Sequence, residues 1–290
     1  MPNMSGYSNL SHVVVTPSRE EADFLPSLIQ SMVSQTITPL QWVIMVHNSE
    51  DESLEIISKA SRKYNWISSM VVGDDTRRKR GSQIAKIVNM GIESIESDWD
   101  FISKIDADMV LPSDYFERIF SNFASSKKLG IASGSCYLIE AGRKVSEQVS
   151  SDHTRGGLKT YRRSCFEEIG GIREVDGWDG IDNAIAQMNG WKTCGFTDIE
   201  VLHQRRTGSY SGLVRGCFEA GKFAHSMRYF PPFILARSIH RMLRKPIFIG
   251  GFFMLAGYFY NSISRSPTFR ESDVVTFIRN KQKDRLKIWK

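Results

Sequence analysis

A chain of 290 residues, 41% of them hydrophobic and 24% charged, has a globular composition. A disordered tail, a fibre and a small stapled scaffold are excluded, and the length allows one large domain or one domain with an appendage. The net charge of +6 hides a step. Residues 204–290 carry 17 Lys and Arg against 4 Asp and Glu, a net of +13, leaving −7 for residues 1–203. Cys136, Cys165, Cys194 and Cys217 form no CxxC pair, and residues 1–10 lack the charged start and apolar run of a secretion signal. Reduced thiols in a cytosolic compartment are expected.

Short apolar runs at Val13–Val15, Trp42–Val46, Ser69–Val72 and Phe101–Ile102 suit buried strands, and helix-like stretches lie between them around 21–34, 54–64 and 82–95. That alternation predicts a mostly parallel sheet flanked by helices, whose ligands bind beyond the carboxyl ends of the strands. The turn Thr16-Pro17-Ser18-Arg19-Glu20-Glu21 has no glycine, so a dinucleotide fingerprint is absent, as is a Walker loop. The basic run Arg77–Arg80 reads as a solvated loop. After the fourth strand comes Lys104-Ile105-Asp106-Ala107-Asp108, with Leu111-Pro112-Ser113 opening a helix. Two carboxylates at such a strand end suit Mn²⁺ or Mg²⁺, which take further ligands from substrate phosphates. The mix of Gly, Arg and Asp in residues 152–157, ahead of 159–163, suits a mobile loop near an acceptor, or a structural turn.

Farther on, Pro231-Pro232 starts a predicted helix with Leu235, Ile239, Met242 and Leu243 in one stripe and Arg237, Arg241, Arg244 and Lys245 in another. Opposed apolar and cationic stripes fit a helix lying on anionic lipid; packing on its own domain is the plainer alternative. From Pro246 to Ser264 no charge occurs. As a helix this run would be about 28 Å long, near the ~30 Å of a bilayer core. Gly250, Gly251 and Gly257 weaken it, so a span, a re-entrant hairpin and a surface helix all stay open. Nucleic acid is not expected as a partner, since the basic region carries no recognised motif for it.

Three segments in this order, VVVTPSREEADFLPSLIQSMVSQT, KIDADMVLPSDYF and GGIREVDGWDGIDNAIAQMNGW, resemble glycosyltransferase family 2, inverting enzymes with a GT-A fold. The likeness covers roughly residues 11–205, and VLHQRRTGS with the RKPIFIGGFFMLAGY tail resembles a bacterial subgroup that builds exopolysaccharide and surface glycans. It implies a catalytic domain over about 1–210, with donor half about 1–110 and acceptor half 111–210, then a basic helical membrane-associating region over 211–290. It implies that Asp106 and Asp108 hold a metal on the donor diphosphate. Alignment of Gly177 and Gly190 with family glycines puts Trp178 on the family's glutamate and Asp179 on its aspartate, the general base. Asp182, one turn on, shares a helix face with Asp179 and is the reserve base.

His203 follows a strand-like stretch and suits a third metal ligand, while Arg205 and Arg206 suit forked contacts to the diphosphate. Pro17, Arg19, Glu21, Lys86 and Lys104 fall where the resemblance implies donor contacts. The family's D-D-G-S after the second strand is here Val46-His47-Asn48-Ser49. His47 can still meet a base edge, so UDP-sugar is the first donor expected, with dTDP- and GDP-sugars open. The expected activity is metal-dependent transfer of one sugar, with inversion, to a hydroxyl of a lipid-linked saccharide at the cytoplasmic face of the cell membrane. Two alternatives are a soluble or protein acceptor, the tail serving as a homodimer interface, and a non-catalytic sugar-nucleotide or glycan-binding module.

Overall fold

The apolar run at Val13 extends to His12–Ser18 (β1), buried along nearly its whole length, as a strand covered by helices must be. The computed structural model of the chain describes residues 10–73, 81–147, 150–205, 212–243 and 247–288. From β1 the chain alternates through Leu25–Val33 (α1), Gln41–His47 (β2), Ser53–Lys63 (α2), Ile67–Val72 (β3), Ser82–Glu93 (α3) and Phe101–Ile105 (β4). These four strands lie parallel in the order β3-β2-β1-β4. The first helix starts later than its sequence pattern, because a proline occupies its first turn and residues 21–24 form the turn before it. Trp42 is fully buried in β2, and its indole N–H finds Thr16 Oγ1 at 2.9 Å.

Beyond β4 the chain adds Met109–Val110 (β5), Tyr115–Ser125 (α4), Leu129–Glu140 (β6), Arg143–Ser146 (β7), Leu158–Arg162 (β8), Arg163–Glu168 (α5), Trp178–Met188 (α6) and Lys192–His203 (β9). The sheet continues β4-β8-β6-β9-β5, with β7 hairpinned on β6. The β4–β8, β8–β6 and β9–β5 pairings are antiparallel, so the parallel order belongs to the N-terminal strands and β6–β9 alone among the described residues. Tyr115, Phe116, Phe120 and Phe123 present one apolar face of α4 to the core beneath this half. Two registers matter for chemistry. Lys104 lies directly opposite Lys159 on β8, and Met109 lies opposite His203 on β9.

The chain divides into two compact units between Arg205 and Arg206. The second contains Leu213–Ser226 (α7), Pro231–Met242 (α8), Ile249–Ile263 (α9) and Ser272–Ile288 (α10). The uncharged run yields a helix of 15 residues, about 22 Å, and no described helix is long and apolar enough to cross a membrane. Its glycines, read from sequence as weak points, are contact points. A Cβ on Gly257 would sit 2.0 Å from the Phe218 carbonyl oxygen, and one on Gly221 1.9 Å from that of Met254. The backbones of α7 and α9 thus touch at both places, and Asn261 ties α9 to the Lys222 carbonyl oxygen at 3.1 Å.

Candidate active site

Antiparallel pairing of β5 with β9 brings His203 beside the D-x-D loop, 95 residues earlier in sequence. His203 Nε2 lies 3.4 Å from Asp108 Oδ2, and the Gln204 amide donates to the Asp108 carbonyl oxygen at 2.9 Å. Arg205 Nε donates to Asp108 Oδ2 at 2.7 Å while its other arm reaches Glu21, so one guanidinium joins the first strand's turn to the D-x-D loop. Burial pushes the Asp108 carboxyl up, but His203 and Arg205 outweigh it and hold it below its ordinary value. Burial likewise works against the His203 cation, and Asp108 and Glu147 overcome it, raising the imidazole to about 9.

Asp106 does not share this cluster. Its carboxylate pairs with buried Lys104, whose ammonium also donates to the Gly156 carbonyl oxygen at 2.8 Å. Among the described residues no three His, Cys, Asp or Glu side chains converge as a ready metal cage. Asp108 and His203 are a carboxylate and an imidazole side by side, a pair that fits Mn²⁺ or Mg²⁺ when substrate oxygens complete the shell.

The acceptor side is built on α6. Asp179 is half-buried in its first turn, whereas Asp182, which shares that face, is sealed inside. Lys159 and Asp182 form an ion pair with side chains 0% and 2% exposed, and Tyr161 Oη donates to the second Asp182 oxygen. The Asn183 amide adds a 2.6 Å bond, so the reserve base has its oxygens engaged within the chain. Burial pushes the Lys159 ammonium down and the Asp182 carboxyl up from their ordinary values, each opposed by its partner's charge. Lys159 also donates to the Asp179 carbonyl oxygen, anchoring the turn that carries Asp179. The buried Trp178 ring has Lys104 Nζ and Lys159 Nζ at 5.5 and 5.6 Å from its centroid.

Residues 152–157 join the two sides. Thr154 Oγ1 donates to Asn183 Oδ1 at 2.8 Å, and the Arg155 amide donates to Ser133 Oγ at 3.0 Å. A Cβ on Gly156 would lie 2.9 Å from Asp179 Oδ2, and one on Gly157 2.7 Å from Asp106 Oδ2. Two adjacent glycines therefore touch the sequence-predicted base and the first D-x-D carboxylate.

At the nucleotide side, Pro17 and Arg19 sit at the carboxyl end of β1, and His47 is buried at the end of β2. Arg19 Nη1 is buried with no hydrogen-bond partner among the described residues. The Glu21 amide donates to Ser53 Oγ at 3.1 Å and the Glu20 amide to Ser49 Oγ at 3.0 Å, fastening this turn to the loop after β2. Lys86 is not brought to the cluster: α3 buries Ala85, Ile87, Val88 and Gly91, leaving Lys86 exposed. Its neighbour Asn89 donates to the Ile172 carbonyl oxygen at 2.9 Å. Arg206 and the Arg77–Arg80 run lie outside the described residues.

The family model for glycosyl transferase family 2 matches residues 13–173, more than half of the chain. The chain belongs to glycosyl transferase family 2. It is a glycosyltransferase, and its sheet with flanking helices is a GT-A fold. Solved structures agree on the fold. The mannosyltransferase PcManGT from Pyrobaculum calidifontis, in complex with GDP-Man and Mn²⁺, is similar with TM-score 0.57 and 15% identity, over 95% of this chain and 80% of its own. S. aureus TarS 1–349 gives 0.53 and 14% over 89% and 73%. GalNAc-T7 with UDP, GalNAc and Mn²⁺ gives 0.54 and 14% over 68% and 44%. No curated protein matches the sequence significantly.

Two parts of this family 2 site were not legible in sequence. Glu147, whose Oε2 lies 2.9 Å from His203 Nδ1, has no motif around it. The Lys159–Asp182 pair depends on strand β8 passing beneath α6, and its one sequence signal is a lysine within an otherwise strand-like LKTYR.

Proposed function

We propose that this chain transfers one sugar from a nucleotide-sugar donor to an acceptor hydroxyl with inversion, using Asp179 as general base. The observation that carries the reading is the Gly156–Gly157 turn, which touches Asp179 on one side and Asp106 on the other. Asp179 is open enough to meet a hydroxyl, and its helical turn is anchored by Lys159, so it can take the acceptor proton as the oxygen attacks the anomeric carbon. Asp108 and His203 are the residues that would hold Mn²⁺ or Mg²⁺, while Asp106 is engaged by Lys104. When bound, the ion supplies positive charge against the departing diphosphate. Arg205 bridges Glu21 and Asp108, and a diphosphate offers its fork a stronger partner. The buried Arg19 Nη1 is a further donor suited to an anion. Similarity to a mannosyltransferase held with GDP-Man and to TarS held with UDP-GlcNAc supports either nucleotide, with His47 at the base edge.

The second unit supports a membrane-surface reading. On α8 the buried positions are Ile234 and Ser238, while Leu235, Ile239 and, just past its end, Leu243 are exposed, the last by 74%. Phe248, Phe252 and Ile263, around and on α9, are exposed by 70%, 62% and 83%. An exposed apolar surface in a segment of net charge +12 suits insertion to headgroup depth in anionic lipid, where a lipid-linked saccharide would be presented. The site of action is then the cytoplasmic face of the cell membrane.

The test is nucleotide release from a panel of UDP-, GDP- and dTDP-sugars with Mn²⁺, Mg²⁺ or chelator. Wild type is compared with Asp108→Asn, on anionic liposomes carrying polyprenyl-diphosphate saccharides and in detergent. Metal-dependent release from one donor, lost in the variant and raised by the lipid acceptor, is expected. Release unaffected by chelator would overturn the metal assignment; release with a soluble sugar acceptor alone would overturn the lipid-linked one.

A further inference from the structure

The strongest unused group near the site is Glu147, just beyond the β7 strand and 56 residues from His203 in sequence. Its Oε2 takes the Nδ1 side of the His203 ring at 2.9 Å, while Nε2 faces Asp108 Oδ2 at 3.4 Å. The two carboxylates thus occupy opposite nitrogens of one imidazole, so Glu147 and Asp108 cannot both ligate an ion bound at Nε2. We propose that Glu147 is a positioning residue that keeps a His203 proton on Nδ1, so that the proton a divalent ion displaces is the one on Nε2. This rests on the metal reading of Asp108 and His203 given above.

A neutral imidazole in water favours its proton on Nε2, the wrong nitrogen for a metal on the Asp108 side. A carboxylate at Nδ1 reverses that preference and fixes the ring's rotation, the role that carboxylates behind metal-binding histidines commonly play. Glu147 is itself held: the Arg155 guanidinium pairs with the same oxygen, and the Glu147 amide donates to the Cys136 carbonyl oxygen at 2.9 Å. Arg155 directly precedes the Gly156–Gly157 turn, so the segment that touches Asp179 also steadies the group behind His203.

The experiment measures Mn²⁺ affinity of the full chain by electron paramagnetic resonance, with UDP and with GDP present, in wild type, Glu147→Ala, Glu147→Gln, His203→Ala and the Glu147→Ala/His203→Ala double variant. Glu147→Ala is expected to weaken Mn²⁺ binding about 10- to 100-fold. Glu147→Gln, which keeps an acceptor for Nδ1–H, retains most of the affinity. In the His203→Ala background, Glu147→Ala costs nothing further, because its effect runs through the ring. Unchanged affinity in Glu147→Ala, or an equal added loss in the double variant, overturns the proposal. Wild type that binds no Mn²⁺, or His203→Ala that binds as wild type does, overturns the metal reading beneath it. Should Glu147→Ala fail to fold, ¹⁵N-histidine spectra of wild type with UDP and Mg²⁺ decide: a proton on Nδ1 of His203 supports the proposal and one on Nε2 overturns it.

Discussion

Residues 10–205 bury charged side chains in pairs, whereas residues 212–288 leave large apolar side chains in solvent. In the first unit, Lys159 with Asp182 and Lys104 with Asp106 sit around Trp178, and their positions decide where Asp179 and the D-x-D loop stand. In the second, α7 and α9 meet backbone to backbone through Gly221 and Gly257, and the bulky residues turn outward. Desolvated ion pairs contribute little net stability but hold geometry, the requirement of a site. Close glycine packing lets a small helical unit cohere without spending its phenylalanines on its own core, and those side chains remain for an external surface.

In the first unit the largest effect is expected from Asp179→Asn. Turnover should fall about 10²- to 10⁴-fold with the melting temperature unchanged, since the side chain is half-exposed and the helix anchor is its backbone carbonyl. Equal turnover in a donor-release assay would remove the base assignment. Next in size, Lys159→Met should cost about 3–5 kcal/mol in urea unfolding because Asp182 is left charged and buried, and adding Asp182→Leu should recover much of it. A Lys159→Met variant as stable as wild type would mean the pair carries no burden. In the second unit, Gly257→Ala places a Cβ 2.0 Å from the Phe218 carbonyl oxygen and should destabilise by about 1–3 kcal/mol, read by thermal melting followed by circular dichroism.

A further effect concerns acid. His12 is buried between Ser103, Phe116 and Phe120, and burial pushes its imidazole down from 6.5 to about 3. As pH falls below 6.5 the unfolded chain takes the proton first, so this group makes stability decline by about 1.4 kcal/mol per unit until the folded value is reached. His12→Leu should flatten that part of the pH–stability curve relative to wild type; parallel curves would contradict the assignment. Least in stability is Leu235→Gln with Ile239→Gln, expected to stay within about 0.5 kcal/mol of wild type. The same pair should abolish most cosedimentation with phosphatidylglycerol vesicles, and unaltered binding would move the membrane contact elsewhere.

The four N-terminal strands were legible because each is a local apolar run, and the D-x-D loop because its chemistry lies within three residues at a strand end. Strands β6 and β8 were not, since antiparallel partners far apart in sequence set their register. Helix geometry put Asp182 on the face of Asp179 and so kept it as the reserve base; its burial against Lys159 and Tyr161 of β8, which sets the two apart, has no local signature. The stripe of Leu235, Ile239 and Leu243 was readable as a face, but periodicity does not tell an inward face from an outward one. The glycines of the uncharged run carried the same ambiguity, because helix propensity counts their cost and is blind to the neighbour they admit.

The dipeptide Gly156–Gly157 has no reactive atom, yet it works as the spacer gauge of the enzyme. One peptide unit sets the separation between the carboxylate proposed to receive the acceptor's proton and the first carboxylate on the donor side. Side-chain chemistry elsewhere can drift by exchange of similar groups, whereas a single added methyl here would have to displace Asp179 or Asp106. A substitution library scored for turnover would then mark two positions with nothing to donate, accept or coordinate as among the least replaceable in the chain.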